Sequence, residues 1–371
     1  MRLSRILSLY LGRHFLLAFL GSLGVIMGLI FLFDVIELLR RAATHGSAPF
    51  SMILLMALYK LPQMVQLILP FAVMIGAMAC FWMLTRSREL VVTRSAGVSA
   101  WEFLTPILGL VFVLGVLNVT AFNPLAAELY QRYEDLQDRL ALRSGSGGGS
   151  GLQVSEGGLW LREVHDAQQV VVHANSVRQE GFNLKLRDIS VFVSDDHDHF
   201  QYRLESVVGQ LQDGYFNLNK TRLFRANRPV EFFEDYNFPT QLTLAKIQDK
   251  FASPETVSFW ELPGFIEFFE SAGFSANRQR LYYQSLLASP LLLCAMVLVA
   301  AVFTLKPDMR SGGLMMRLMG GVVSGFLFYF FSKVVYALGL SATLPVALAA
   351  WSPAVVTLLC GVGALFHLED G

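Results

Sequence analysis

Charged residues are scarce in this sequence, and the few that are present balance. Only 16% of the 371 residues are charged, and 29 Lys and Arg offset 29 Asp and Glu, so the formal net charge is zero. Nucleic-acid binding draws on a surplus of basic residues that neutralise phosphates. The composition therefore gives no support to a nucleic-acid partner, and we predict none.

Cysteines are fewer still, since the chain has only three, and all of them lie inside apolar stretches. They are Cys80, Cys294 and Cys360, and none falls between residues 123 and 280. That interval therefore has no disulfide framework. The chain has no C-x-x-C pair either, so a dithiol redox role has no support.

Catalytic signatures are also missing. The chain contains no G-x-x-x-x-G-K-[ST], H-E-x-x-H or G-x-S-x-G pattern, so P-loop nucleotide binding and hydrolase chemistry have no support. The Gly- and Ser-rich stretch 144–151 is predicted to be a flexible linker. The Asp- and His-rich stretch 195–199 is predicted to be a solvated turn. We predict no catalytic residue, cofactor or metal; if ATP drives this protein, another subunit binds it.

Apolar residues, by contrast, make up 54% of the chain and gather in long runs. A helix needs about 20 mainly apolar residues to cross a bilayer, and six runs approach or exceed this length. The predicted spans are residues 15–39, 52–85, 101–122, 281–305, 314–338 and 345–367. The sequence thus predicts an α-helical membrane protein with six transmembrane helices.

The distribution of Lys and Arg at the span ends predicts the orientation. Three basic groups, within residues 2–13, 86–94 and 306–317, fall on one side of the membrane if there are six spans. The positive-inside rule makes that side cytoplasmic, although Arg40 and Arg41 lie on the other. Both termini are then cytoplasmic, and residues 123–280 face outward.

The outward segment has a different pattern from the spans. Short runs rich in β-branched and aromatic residues alternate with turn signals, which predicts an antiparallel all-β sandwich or jelly roll. The runs are residues 159–164, 169–173, 189–194, 200–208, 215–224 and 232–238. Residues 128–143 and 259–271 are predicted to be flanking helices. The chain then divides into residues 1–122, 123–280 and 281–371.

A short polar segment, residues 86–99, joins the second and third spans. At helical spacing it gathers Arg86 and Glu89 on one face, while Ser99 and Glu102 have the spacing of a capping box that starts the third span. A cytoplasmic helix of this kind can receive a push from a separate motor protein. An ordinary basic loop fits the spacing equally well.

Four basic residues are predicted to lie in the outer half of the membrane or at its outer edge: Arg40, Arg41, Lys60 and Lys333. Ionisable groups at membrane depth usually face a cavity or a partner, and a phosphate-bearing lipid would use such cations. Alternatively, the lysines snorkel to the interface and the arginines pair with Asp34 and Glu37. For the lysines this second interpretation is at least as strong.

Four segments carry a resemblance to a known family: 89–97 (ELVVTRSAG), 62–70 (PQMVQLILP), 157–160 (GGLW) and 325–329 (GFLFY). Together, and in this topology, they resemble the LptF/LptG family of lipopolysaccharide-export permeases. The ELVV and GLW pieces are nearer to the LptG branch than to the LptF branch. The resemblance covers the whole chain.

The resemblance implies a bacterial inner-membrane ABC-transporter permease with a periplasmic β-jelly-roll between two sets of three spans. It implies a paired LptF-like permease, a cytoplasmic LptB-like ATPase dimer, and LptC-like and then LptA-like relay proteins, with lipopolysaccharide as cargo. The ATPase would dock on a coupling helix that contains Arg86, Glu89, Leu90, Val91, Arg94 and Gly97. Lipid phosphate would contact Arg40 and Arg41, with Lys60 and Lys333 as further candidates. Asp34 departs from the family, in which LptG relatives can carry Lys.

Two other functions stay open on the residues alone. The chain could be a permease for another lipid or a lipoprotein, which would use the same coupling logic. It could also be a non-transporting membrane scaffold whose outer domain binds periplasmic proteins. A scaffold would tolerate Glu89→Ala and Arg94→Ala, whereas a motor-driven permease would not.

Overall fold

The computed structural model describes most of the chain, with gaps at several connections. The described residues are 5–45, 49–87, 89, 99–143, 152–155, 158–165, 168–180, 183–195, 199–212, 214–226, 228–240, 242, 253–271, 273–305 and 314–369.

Helices form the first and last parts of the described chain. They are α1 Arg5–His45, α2 Phe50–Arg86, α3 Ala100–Leu117, α4 Asn123–Arg143, α5 Leu262–Ser271, α6 Asn277–Thr304, α7 Leu314–Leu340 and α8 Val346–Glu369. Among the described residues, six helical stretches are long and apolar enough to cross a membrane, which confirms the six predicted spans. Ser99 caps α3 as predicted, since its hydroxyl oxygen accepts a hydrogen bond from the Glu102 backbone N–H at 3.1 Å.

The third span continues through a π-helical turn, Asn118–Phe122, into α4. This turn was not predicted, although Pro124 gives its local reason. Proline lacks the N–H that would bond the carbonyl of Thr120, four residues earlier. The α-helical pattern is therefore interrupted here.

The largest core lies between α1, α2, α3 and α6 and contains Phe15, Phe81, Ile107 and Val297. Two glycines allow the helices to approach closely. A Cβ at Gly76 would lie 2.7 Å from the Phe19 Cα, and one at Gly115 would lie 2.6 Å from the Pro290 Cα. Larger side chains cannot occupy these positions without separating the helices.

Seven strands follow α4. They are β1 Leu152–Ser155, β2 Gly158–His165, β3 Gln168–Glu180, β4 Asn183–Asp195, β5 Phe200–Gln212, β6 Tyr215–Arg225 and β7 Glu231–Pro239. Each described strand pairs with the next in a single antiparallel sheet of order β1 to β7. The all-β prediction is therefore confirmed, with β1 added and β3 and β4 longer than expected. The strand order is that of a meander, so these pairings do not themselves show a jelly roll.

Five strands share an irregularity at the same level of the sheet. In each of β3 to β7, side chains alternate between a buried and an exposed face, and the alternation breaks at this level. There two consecutive residues are exposed. Asp188 and Lys220 lie in this row and have positive φ angles of 50° and 55°. Each of the five strands skips one residue of the pairing at this level, so the register is kept on both sides. The positive φ angles of Asp188 and Lys220 depart from the extended backbone of a strand, so β4 and β6 bend at this level.

The curvature brings opposite ends of the sheet together. The Thr240 hydroxyl, just after β7, donates to the Glu163 Oε2 of β2 at 2.6 Å, and both residues are buried. In a flat sheet, five strand spacings of about 4.8 Å would separate these strands. The sheet core also takes up Phe269 of α5 and Phe274 beyond it, which join the sheet to the helices.

Candidate functional site

The polar segment between the second and third spans is described only in part. Arg86 ends α2, and its guanidinium lies 5.5 Å from the centre of the Trp82 ring. Glu89 is helical and half-buried. Four of the predicted docking residues lie outside the described residues: Leu90, Val91, Arg94 and Gly97. Because Glu89 is helical, it agrees with the predicted helix in this segment. This one residue does not show how far the helix extends.

Tyr10 links this segment to the first helix. Its hydroxyl donates to the Glu89 Oε2 at 3.0 Å, across 79 positions of sequence. The Tyr10 ring also lies 4.4 Å from the His14 ring, centre to centre. The sequence analysis missed this contact because Tyr10 continues an apolar helical stripe, in which only its hydroxyl marks a polar role.

Arg40 and Arg41, on the last turns of α1, converge on one carboxylate. Arg40 donates twice to Glu37, with both N–O distances at 2.9 Å, and Arg41 donates once at 2.8 Å. The arginine side chains are 74% and 61% exposed. Exposed ion pairs are worth little, so a phosphate can compete with Glu37 for both guanidinium groups.

Lys60 is held differently. It forms an ion pair with Asp34 across α1 and α2, and the side chains are only 21% and 15% exposed. Its ammonium also lies 5.6 Å from the centre of the Tyr133 ring of α4. Asp34, the residue that departs from the family pattern, therefore has a structural explanation as the counter-ion of Lys60. The alternative interpretation paired the arginines with Asp34 and Glu37; in the structure both pair with Glu37.

Lys333 lies on α7, and its ammonium group contacts an aromatic ring. Its ammonium lies 5.3 Å from the centre of the Tyr329 ring, one turn earlier. The Tyr329 ring in turn lies 4.9 Å from Phe71 of α2. The structure thus joins α1, α2 and α4 around Lys60, whereas Lys333 is exposed and faces the ring of Tyr329 on its own helix.

Among the described residues, no group of three or more His, Cys, Asp or Glu has the arrangement of a metal site. The charged groups near the end of α1 are an exposed arginine pair that shares Glu37 and a sheltered lysine that pairs with Asp34.

In the part of the chain that the structure describes, six membrane-length helices and an antiparallel sheet inserted after the third define the class of a multi-pass membrane protein with a sheet domain. The family model for the lipopolysaccharide export system permease LptF/LptG matches residues 9–367. The chain belongs to this family.

Two relatives illustrate the similarity. The chain is 23% identical over 337 residues to the lipopolysaccharide export system permease protein LptG of Haemophilus influenzae, with 88% of each chain covered. It is 21% identical over 368 residues to the protein of the same name in Escherichia coli K12, with 98% of each covered. The nearer resemblance to the LptG branch, predicted from the motifs, agrees with these matches.

Proposed function

We propose that this chain is the LptG-type subunit of an inner-membrane exporter that extracts lipopolysaccharide and passes it to a periplasmic bridge. The family match along residues 9–367 carries the proposal. The subunit pairs with an LptF-like permease, and an LptB-like ATPase dimer supplies the energy. LptC-like and LptA-like proteins receive the lipid.

The proposed topology places both termini in the cytoplasm and residues 123–280 in the periplasm. The basic groups at the span ends support this orientation. We propose that the sheet has the open, curled shape of a jelly roll that shields acyl chains. The bends at Asp188 and Lys220 and the bond between Thr240 and Glu163 support the curling, and the apolar inner face supports the shielding.

Residues 86–99 form the coupling helix in this proposal. ATP-driven closure of the ATPase dimer pushes on this helix, and the contact between Glu89 and Tyr10 passes part of the movement to α1. α1 also carries the exposed arginine pair, Arg40 and Arg41, at its other end. Movement of α1 can therefore change the cavity between the paired permeases.

The lipid phosphate binds Arg40 and Arg41, which exchange Glu37 for the phosphate. A phosphate offers more acceptor oxygens and more negative charge than one carboxylate. Lys60 contributes less because Asp34 already balances it, and the Lys333 ammonium faces the Tyr329 ring of its own helix. Both lysines remain secondary candidates for the substrate.

Affinity purification in mild detergent, with mass spectrometry of the co-purifying proteins, tests the proposal. Wild type is expected to retain a second permease and an ATPase, whereas Glu89→Arg keeps the permease and loses the ATPase. Glu267→Arg, an exposed charge reversal on α5, serves as the matched control and keeps both. If wild type retains no ATPase in several detergents, the exporter assignment fails and the scaffold alternative replaces it.

A further inference from the structure

One buried side-chain amide connects the membrane helices with residues 253–261, which lead back from the sheet and are called the returning segment below. Asn123, the first residue of α4, is 1% exposed. Its Oδ1 accepts from the backbone N–H of Phe259 at 2.9 Å, and its Nδ2 donates to the Tyr282 hydroxyl at 3.2 Å and to the Gln66 Oε1 at 3.4 Å. Asn123 therefore ties α2, α6 and the returning segment to the third span.

The neighbouring turn adds a second bond from the returning segment. The Trp260 indole N–H donates to the Thr120 carbonyl at 3.0 Å. Pro124 has no N–H to donate to this carbonyl. The missing N–H therefore accounts both for the π-helical turn and for the bond from the indole. Phe259 also stacks on Tyr283 at 5.3 Å between ring centres, which fixes the segment against α6.

A short rigid path leads from this point to the sheet. The returning segment continues directly into α5, a helix of 10 residues or about 15 Å. Phe269 of α5 lies in the sheet core, and the Gly273 carbonyl beyond it accepts from the Gln179 N–H of β3 at 2.8 Å. Few intervening groups can absorb a displacement of Phe259 before it reaches β3.

Unpaired amide atoms are buried on the helices that Asn123 bridges. Three of them have no partner among the described residues: Gln63 Oε1, Gln66 Nε2 and Gln279 Oε1. Leaving a buried polar atom unpaired costs about 1–3 kcal/mol. These spare donors and acceptors lie on α2 and α6, the two helices that Asn123 bridges.

We infer that Asn123 is the positioning residue that transmits movement of the membrane helices to the sheet. It touches neither the lipid nor the ATPase in this role. The inference rests on the proposed export function and deepens it, because it assigns the step between cavity closure and entry of lipid into the sheet. Transmission requires the bond to Phe259, since that bond begins the path to α5.

The test uses the complete transporter in proteoliposomes that contain lipopolysaccharide. Asn123→Leu removes all three bonds at similar volume, and Trp260→Phe removes one neighbouring bond. Asn118→Leu, the same exchange at a half-buried position at the start of the π-helical turn, is the matched control. A photo-crosslinking residue in place of Phe233, on the inner side of the sheet, reports lipid entry.

Asn123→Leu is expected to assemble, to keep ATP hydrolysis within about twofold of wild type, and to lose at least about tenfold of the ATP-dependent lipid cross-link. Trp260→Phe is expected to lose about threefold, and Asn118→Leu to match wild type. Hydrogen exchange of residues 262–271 supplies a readout that a purely structural role would not change. In wild type its rate should respond to trapping of the ATPase with vanadate, and in Asn123→Leu this response should vanish while the nucleotide-free rate stays the same.

A cross-link and a vanadate response equal to wild type in Asn123→Leu would overturn the inference. Equal loss of hydrolysis and cross-link would overturn it as well, because Asn123 would then support the whole assembly. If Asn123→Leu does not accumulate, Trp260→Phe decides by the same two readouts. Failure of the proposed export function is distinct, since wild type itself would then show no ATP-dependent cross-link.

Discussion

Replacing Asp34 by Asn tests whether Lys60 is half of an internal ion pair or a lipid ligand. Asn keeps the shape of the side chain and removes the negative charge that Lys60 faces. The two side chains are 15% and 21% exposed, so water can replace little of the lost interaction. The pair also joins α1 to α2, so its loss affects the packing of two spans.

The expected magnitude follows from the position of the pair. An unpaired charge at the bilayer centre costs about 2.5–3.5 kcal/mol, and breaking a fully buried pair costs about 3–5 kcal/mol. This pair lies towards one end of its spans and keeps some exposure, which lowers the figure. We expect Asp34→Asn to reduce the free energy of unfolding by about 2 kcal/mol, or about 30-fold in the ratio of folded to unfolded protein.

The assay is an unfolding titration with SDS in detergent, carried out on wild type, Asp34→Asn, Lys60→Met and the double variant. The double variant should lose little more than either single variant, which corresponds to a coupling energy of about 1.5 kcal/mol. Glu37→Gln, which removes an exposed carboxylate nearby, should leave unfolding almost unchanged. A coupling below about 0.5 kcal/mol, the usual error of additivity, would show that the pair does not form.

Further predictions concern three other contacts. Tyr10→Phe should weaken ATPase-coupled transport severalfold while ATPase docking persists, because Glu89 keeps its charge; co-purification and transport assays measure the two effects, and unchanged transport would speak against the contact. Gly115→Leu should lower the unfolding midpoint in SDS strongly, since its side chain would meet the backbone at Pro290; a near-wild-type midpoint would contradict the close packing. Glu37→Gln should raise the affinity for lipopolysaccharide severalfold in a binding assay, because both arginines lose their competing carboxylate, and a weakened affinity would argue against phosphate binding there.

Much of the architecture could be predicted because it depends on local composition. Six apolar runs set the spans, and alternating β-branched and aromatic residues set the strands of the sheet. The cap at Ser99 followed from the spacing to Glu102 alone. These features need only the period of a helix or strand and the length of a bilayer crossing.

Features that depend on meetings between distant segments could not be predicted. The row of irregularities needs five strands to skip one residue of the pairing at the same level, and no single strand shows this. Asn123 is an ordinary polar residue in the sequence, and its role depends on Phe259 and Tyr282, which lie 136 and 159 positions away. Pro124 was a local signal for the π-helical turn, but the predicted end of the third span took no account of it.

The cations show most clearly why counting charges in a sequence is insufficient. Arg40, Arg41 and Lys60 look equivalent as basic residues near a membrane surface. The structure gives the two arginines a shared and exposed carboxylate, and gives the lysine a sheltered one. An exposed pair exchanges readily with an anionic ligand because its net worth is small, whereas separating a sheltered pair leaves an uncompensated charge. Phosphate recognition should therefore depend on the exchange of Glu37, and the pair between Asp34 and Lys60 should hold α1 in place while that exchange occurs.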